Sequence, residues 1–352
     1  MAEKLININL ILVIGIAALV IYILYRMVQK NKKDSQNTGP GSTYSDESTI
    51  IKSNELHGIE KQVGSGITNF TMNDDASPYL RDYCIKASAN SAYSGGYMNL
   101  DMIKYVLRRG CRFLDFEVYI KDKIPVVAYS NAVIFDPSYN SFTSYDLPVS
   151  LVGCLNTCLA NAFTTTSPNP NDPLFIQLRI KTNINEAFGS IAKVIDSTIK
   201  PNLFDGDVTP NTHLADLMGK VVLIVDRSTT PGYKNYPVCE SDEENCYNLS
   251  KYVNMESGSN YLRIYTENEL TNQTTNPPDP GVYLMRIVTP NPPLLFGRKN
   301  PDAMHLIKNY GAQIIAQDFY INDAGLNNYE KLFLTYKSAF VPIQTALEFI
   351  RQ

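Results

Sequence analysis

Between Tyr83 and Pro342, short runs rich in β-branched and aromatic residues alternate with helical patterns, which restricts the chain to β/α architectures on a largely parallel sheet. YCIKAS reads as the first strand. Asn99 is placed to N-cap a helix carrying Leu100, Ile103, Val106 and Leu107 on its apolar side, and Gly110 stops it. In CRFLDFEVYI the two-residue period puts Phe113, Asp115, Glu117 and Tyr119 on one face and Leu114, Phe116 and Val118 on the other. Two carboxylates therefore project side by side. KIPVVAY reads as a third strand, Pro148 to Ala162 as a helix, and PLFIQLRIK as a strand after a Pro/Asn-rich loop. A helix is expected over about Asn185 to Lys200 and another from His213 to Met218, stopped at Gly219. KVVLIVD is a continuous apolar run, as in a strand covered on both faces. From Pro237 to Pro293 regularity fades, with strands near Tyr261 to Tyr265 and Val282 to Val288. It returns with the strand QIIAQDFY, the helix GLNNYEKLFLTY and a final helix beyond Phe340.

Ahead of this region, Leu5 to Tyr25 are 21 uncharged residues, enough helix to span about 30 Å of hydrocarbon. A cleaved signal peptide would have a shorter apolar core followed by small residues, where this chain has Tyr22, Tyr25 and Arg26. The expected organisation is an anchor over 1–28, a flexible polar linker over 29–66 and a barrel-sized remainder. Arg26, Lys30, Lys32 and Lys33 outweigh Lys4, so the positive-inside bias puts the folded part of this single-pass protein on the cytoplasmic side.

A formal net charge of −4 offers no basic surface to a phosphate backbone, and no nucleic-acid partner is expected. The six cysteines form no CxxC pair, and with three histidines a structural zinc site is not expected. They read as buried thiols, except that Cys239 and Cys246 bracket an acidic stretch and would close a surface loop in an oxidising compartment. The sequons at Asn69, Asn248 and Asn272 carry no weight in a chain so rich in Asn, Ser and Thr. No dinucleotide or P-loop glycine motif and no internal repeat is present.

The order of KASANS, LRRGCR, DFE, IPVVAYSN, PLFIQLRIKTN, HLADLMGKVVLIVD, YLRIYT and GAQIIAQDFYINDAGLNNYE resembles the X and Y halves of the phosphatidylinositol-specific phospholipase C family. The resemblance runs from about Tyr83 to Pro342. It implies a distorted TIM-type (β/α) barrel of the phospholipase C-like phosphodiesterase kind: an X-like half at 67–236, an irregular insert with Y-half strands at 237–300 and a Y-like end at 301–352. The family's two catalytic histidines fall at Ala89 and Tyr129. Alanine has no proton to exchange, and a phenol with a reference pKa near 10 is a poor substitute for imidazole. The histidines the chain does have, His57, His213 and His305, match no family motif.

The family's calcium ligands fall at Asn90, Asp115, Glu117 and Arg179, so three oxygen ligands are kept and the fourth is a cation. A guanidinium about 4 Å from a carboxylate gains roughly 4 kcal/mol of Coulomb attraction at an effective dielectric of 20, before desolvation. The favoured expectation is an internal salt-bridge network, with a vestigial calcium site at Asn90, Asp115 and Glu117 as the alternative and otherwise no cofactor. The family's headgroup-binding lysines fall at Ile224 and Asp226. Arg263 matches a phosphate-contacting arginine of the family and, with Arg179, is the candidate substrate contact.

Three functions are open to such a chain. One is a catalytically inactive barrel beside a membrane, a scaffold or module for a phosphoinositide headgroup or membrane proteins. Another is an active phosphoric diester hydrolase cleaving phosphatidylinositol-type lipids with re-sited groups, Asp115, Glu117, Arg179 and Tyr129. The third is a structural membrane protein, for instance of a large DNA virus, whose AT-rich genomes favour an Asn-rich, Trp-free composition.

Overall fold

The computed structural model describes residues 66–71, 78–95, 98–129, 148–182, 184–236, 246–272, 284–292 and 299–352. All of them belong to the compact unit Asp46–Gln352. The anchor at 1–28 and the linker through residue 65 lie outside the described residues, among which no helix is long and apolar enough to cross a membrane.

Eight parallel strands form a nearly closed barrel. In chain order they are β1 (Tyr83–Ser88), β2 (Phe113–Lys121), β5 (Leu174–Ile180), β6 (Val221–Asp226), β7 (Met255–Ser257), β8 (Leu262–Thr266), β9 (Met285–Thr289) and β10 (Ile314–Gln317). The hydrogen-bonded order is β7-β6-β5-β2-β1-β10-β9-β8, which leaves a seam between β7 and β8. Strand alternation sends Ile85, Phe113, Phe175, Ile224, Ile287 and Ile314 into one buried cluster inside the barrel. The intervening residues, such as Leu114, Phe116, Ile176 and Leu178, pack outward in a second cluster. There they meet the helices α1 (Leu100–Arg108), α2 (Leu151–Ala162), α3 (Asn185–Ser197), α4 (Glu267–Thr271), α5 (Ala303–Tyr310), α6 (Ala324–Tyr336) and α7 (Ile343–Arg351).

Three expectations change in detail. KIPVVAY forms β3 (Ile124–Val127), but it pairs antiparallel with β2 and stands off the barrel. Asp122 and Lys123 are the reason: both have positive φ, 51° and 67°, the backbone of a two-residue hairpin turn that cannot carry a parallel crossover. It continues to the short β4 (Val149–Ser150), whose Ser150 caps α2 through the Gly153 amide. The helix expected over His213 to Met218 is one 3-10 turn, Leu214–Leu217. The irregular range 237–300 holds the two expected strands as β8 and β9 and adds a third, the short β7.

The distortion of the barrel has a local cause. The start of β1 pairs antiparallel with β11 (Phe340–Pro342), so only Ala87 and Ser88 are left to meet β2. Phe340 then enters the barrel floor, edge-to-face with Phe70 at 6.0 Å, while Phe70 meets Tyr83 at 5.4 Å.

LRRGCR is a structural signature in this chain. Gly110 turns at φ +81°, where a Cβ would come within 2.8 Å of the Ile67 side chain. Arg112 is fully buried and donates through Nη2 to the Ala162 carbonyl at 3.0 Å and the Ser167 hydroxyl at 2.8 Å, tying down the loop after α2. Cys111 and Cys84 are buried free thiols, pushed up to about 12 by burial and therefore inert as nucleophiles.

Candidate functional site

The carboxyl ends of β1, β2, β5 and β6 carry the polar cluster expected from the sequence. Asp115 and Glu117 share the inward face of β2, and Glu117 stands in register with Arg179 of β5. Arg179 spends every guanidinium nitrogen on this cluster. Nε donates to Asp115 Oδ1 at 2.7 Å and Nη2 to Asp115 Oδ2 at 2.6 Å, while Nη1 donates to Glu117 Oε1 at 2.8 Å. Nη2 also donates to Asn90 Oδ1 at 2.9 Å. A planar fork bound this way is held more tightly than a single point charge would be.

The acids are positioned from both sides. Asn90 turns at φ 41°, which brings its amide to Asp115 Oδ2 at 3.0 Å, and the Ser91 hydroxyl accepts from the Asp115 amide at 3.0 Å. Tyr119, two residues along the same face, donates its hydroxyl to Glu117 Oε2 at 2.9 Å. Side-chain exposure is 1% for Asp115, 8% for Glu117 and 13% for Arg179, so the charges are screened by one another rather than by water. Burial alone would lower the Arg179 pKa; the charges of Asp115 and Glu117 outweigh it and raise it above the ordinary arginine value.

The donor set does not fit calcium. The oxygens of Asn90, Asp115 and Glu117 that would face a metal each accept from Arg179, and a resident cation repels a second one. Among the described residues no group of three His, Cys, Asp or Glu side chains is arranged to hold a metal ion.

Ala89 and Tyr129 are buried and aprotic or stacked. Ala89 lies in the inner apolar cluster. Tyr129 stacks on Tyr93 at 4.3 Å, and Tyr93 meets Tyr320 edge-to-face at 5.1 Å, an aromatic group over the ends of β10, β1 and the β2–β3 hairpin. His213 packs on Tyr79, just before β1, and His305 lies exposed on α5; neither joins the cluster, and His57 is outside the described residues. Asp226 accepts from the Ser228 amide through Oδ1 at 2.9 Å, and its charge adds, after those of Asp115 and Glu117, to the rise in the Arg179 pKa.

No family model and no curated protein matches the sequence. Solved structures do match in shape. PLC21 of L. pealei superposes with a TM-score of 0.58 at 15% identity over 79% of this chain, and PLC21 of S. officinalis with 0.57 at 16% over the same share. This chain spans 38% of the length of each. The phosphatidylinositol-specific phospholipase C from Listeria monocytogenes is matched over 98% of its own length, at 15% identity, 76% coverage of this chain and a TM-score of 0.47. The fold is that of the phospholipase C-like phosphodiesterases.

On this phospholipase C-like barrel, Arg263 does not join the site. Its β8 neighbours Leu262 and Ile264 face the barrel interior, so Arg263 projects outward, exposed, beside Tyr265. RIYT forms β8, and Arg263 stands on its outward face. What motif reading missed altogether is Tyr119, which the strand period had placed on the carboxylate face without giving it a partner.

Proposed function

We propose that this chain is a membrane-tethered phospholipase C-like barrel that has exchanged phosphodiester cleavage for a binding role. The observation that carries this reading is Arg179, which satisfies Asn90, Asp115 and Glu117 at once. A barrel mouth held by its own cation needs no divalent ion to hold its acids together, and it leaves those acids committed rather than poised for proton transfer. The re-sited hydrolase is disfavoured by the same bonds and by the buried, stacked Tyr129. The full-length protein, reconstituted in vesicles containing phosphatidylinositol, is expected to release no inositol phosphate with calcium or with chelator. Turnover that disappears in Asp115→Ala would overturn the proposal and install the carboxylates as catalytic residues.

In this reading the tether is the apolar segment at 1–28, and the redox state of Cys246 bears on which side of the membrane the barrel stands. Cys246 is disulfide-bonded and Cys84, Cys111, Cys154 and Cys158 are free, while Cys239 lies outside the described residues. Such a bond persists in an oxidising compartment, and large domains cross membranes largely regardless of flanking charge. Non-reducing peptide mapping of the native protein, alkylated before lysis, is expected to recover the Cys239 and Cys246 peptides joined. Recovery of both as alkylated thiols would return the barrel to the reducing, cytoplasmic side that the basic flank favours.

A further inference from the structure

The connection between β6 and β7 carries a sequon, Asn248-Leu249-Ser250, whose geometry sets it apart from a chance triplet. Asn248 caps the 3-10 turn Leu249–Lys251. Its Oδ1 accepts from the Ser250 amide at 2.9 Å and from the Ser250 hydroxyl at 2.7 Å. A backbone N–H can only donate, so the carboxamide is fixed with its oxygen in the turn and its nitrogen away from it. Among the described residues Nδ2 has no hydrogen-bond partner, and it is not one of the enclosed polar atoms left without one, so it opens to solvent. Leu249 is fully buried and Tyr252 donates its hydroxyl to Asp196 of α3 at 2.8 Å, which seats the turn on the helical outside of the barrel.

The sequon Asn69-Phe70-Thr71 is built differently. Asn69 Oδ1 accepts from the Asn171 amide at 2.9 Å, 102 residues away, and Phe70 packs against Tyr83 and Phe340. The orientation of Asn69 therefore exists only once the barrel has closed, whereas that of Asn248 is made within its own triplet. A transferase working on an emerging chain meets local geometry before distant partners exist. The sequon at Asn272 runs past the described residues.

We propose that Asn248 is a glycosylation site, its Nδ2 carrying an oligosaccharide on the outer wall of the barrel. A second observation points the same way: Cys246, two residues earlier, is disulfide-bonded. Asparagine-linked glycans belong to secreted and membrane-external surfaces, the side on which a disulfide persists. The donor is an oligosaccharide joined through C1 to a polyprenyl diphosphate and used by a membrane transferase. The Nδ2–C1 bond forms, the bond from C1 to the diphosphate oxygen breaks with its electron pair leaving on the diphosphate, and one Nδ2 proton passes to a base of the transferase. The product keeps Oδ1 as an acceptor, so the turn is retained under the glycan.

This inference rests on placing the barrel on the oxidising side, and its test separates the two readings. The full-length protein would be isolated from its native membrane with thiols alkylated before lysis, then treated with an amide-cleaving glycosidase in heavy-oxygen water. Peptide mass spectrometry is expected to find the heavy-oxygen label at Asn248 only after the enzyme, and none at Asn69. In variants made in the same cells the label is expected to be kept in Ser250→Thr and lost in Ser250→Ala, with Cys246 disulfide-bonded in both as the report of folding. Label retained in Ser250→Ala, label at Asn69 equal to that at Asn248, or an unlabelled Asn248 beside a disulfide-bonded Cys246 would overturn the proposal and leave the compartment as read. An unlabelled Asn248 beside an alkylated Cys246 would overturn both.

Discussion

Replacing Arg179 with methionine is expected to cost the folded state about 3–5 kcal/mol, the range for removing one partner of a buried ion pair. The loss follows from what stays behind. Asp115 and Glu117 sit in adjacent inward positions of one strand with almost no solvent, and Arg179 pairs with both. The test is the shift in urea midpoint for Arg179→Met, beside the triple variant that also carries Asp115→Asn and Glu117→Gln. If the arginine acts by charge, the triple variant recovers most of the loss, because neutral amides leave no uncompensated anions. A single variant as stable as wild type would make the cluster a solvated pair of little energetic consequence. Millimolar calcium is expected to leave the wild-type midpoint where chelator leaves it, since the guanidinium already holds the oxygens an ion would need.

Why the cluster was legible in advance, while much around it was not, follows from how each residue is specified. The face of Asp115 and Glu117 depends only on the two-residue strand period, while Arg179 was reached through the resemblance, which put it at a calcium-ligand position beside them. Arg263 is the counter-example. It was assigned by matching four residues of a motif, but a strand's facing is set by which of its neighbours are drawn into the core, and Leu262 and Ile264 claim the inside. A one-residue difference in register exchanges the two faces. The short β7, Met255–Ser257, escaped notice because three residues hold too little periodicity to be read, and it is stabilised by pairing with β6 rather than by local preference. β3 was read as a strand without its direction, although the two-residue link at Asp122 and Lys123 already excludes a crossover.

Changing Glu330 to glutamine is expected to be comparably damaging, although it lies on the outer side of the barrel, far from the mouth. Glu330 of α6 is 4% exposed and faces two buried cations: Lys86 of β1, whose Nζ approaches Oε1 at 3.0 Å, and Arg109 after α1, whose Nε donates to Oε1 at 3.0 Å. Arg109 Nη2 also pairs with Oε2. Glutamine keeps the shape and removes the only negative charge that these contacts provide, leaving two cations together in a site with little solvent, so a loss of about 3–5 kcal/mol is expected. Lys86→Met gives the opposite case. It leaves a one-to-one Arg109–Glu330 pair and puts an apolar chain of similar length in a fully buried position, so it is expected to cost far less despite losing the 2.6 Å bond from Nζ to the Arg109 carbonyl. Urea midpoints of the two variants therefore rank the physical causes. Glu330→Gln well below Lys86→Met means that charge compensation locks α6 and α1 to β1. The reverse order would mean that the hydrogen bond from Lys86 to the turn after α1, rather than the acid, holds that side of the barrel.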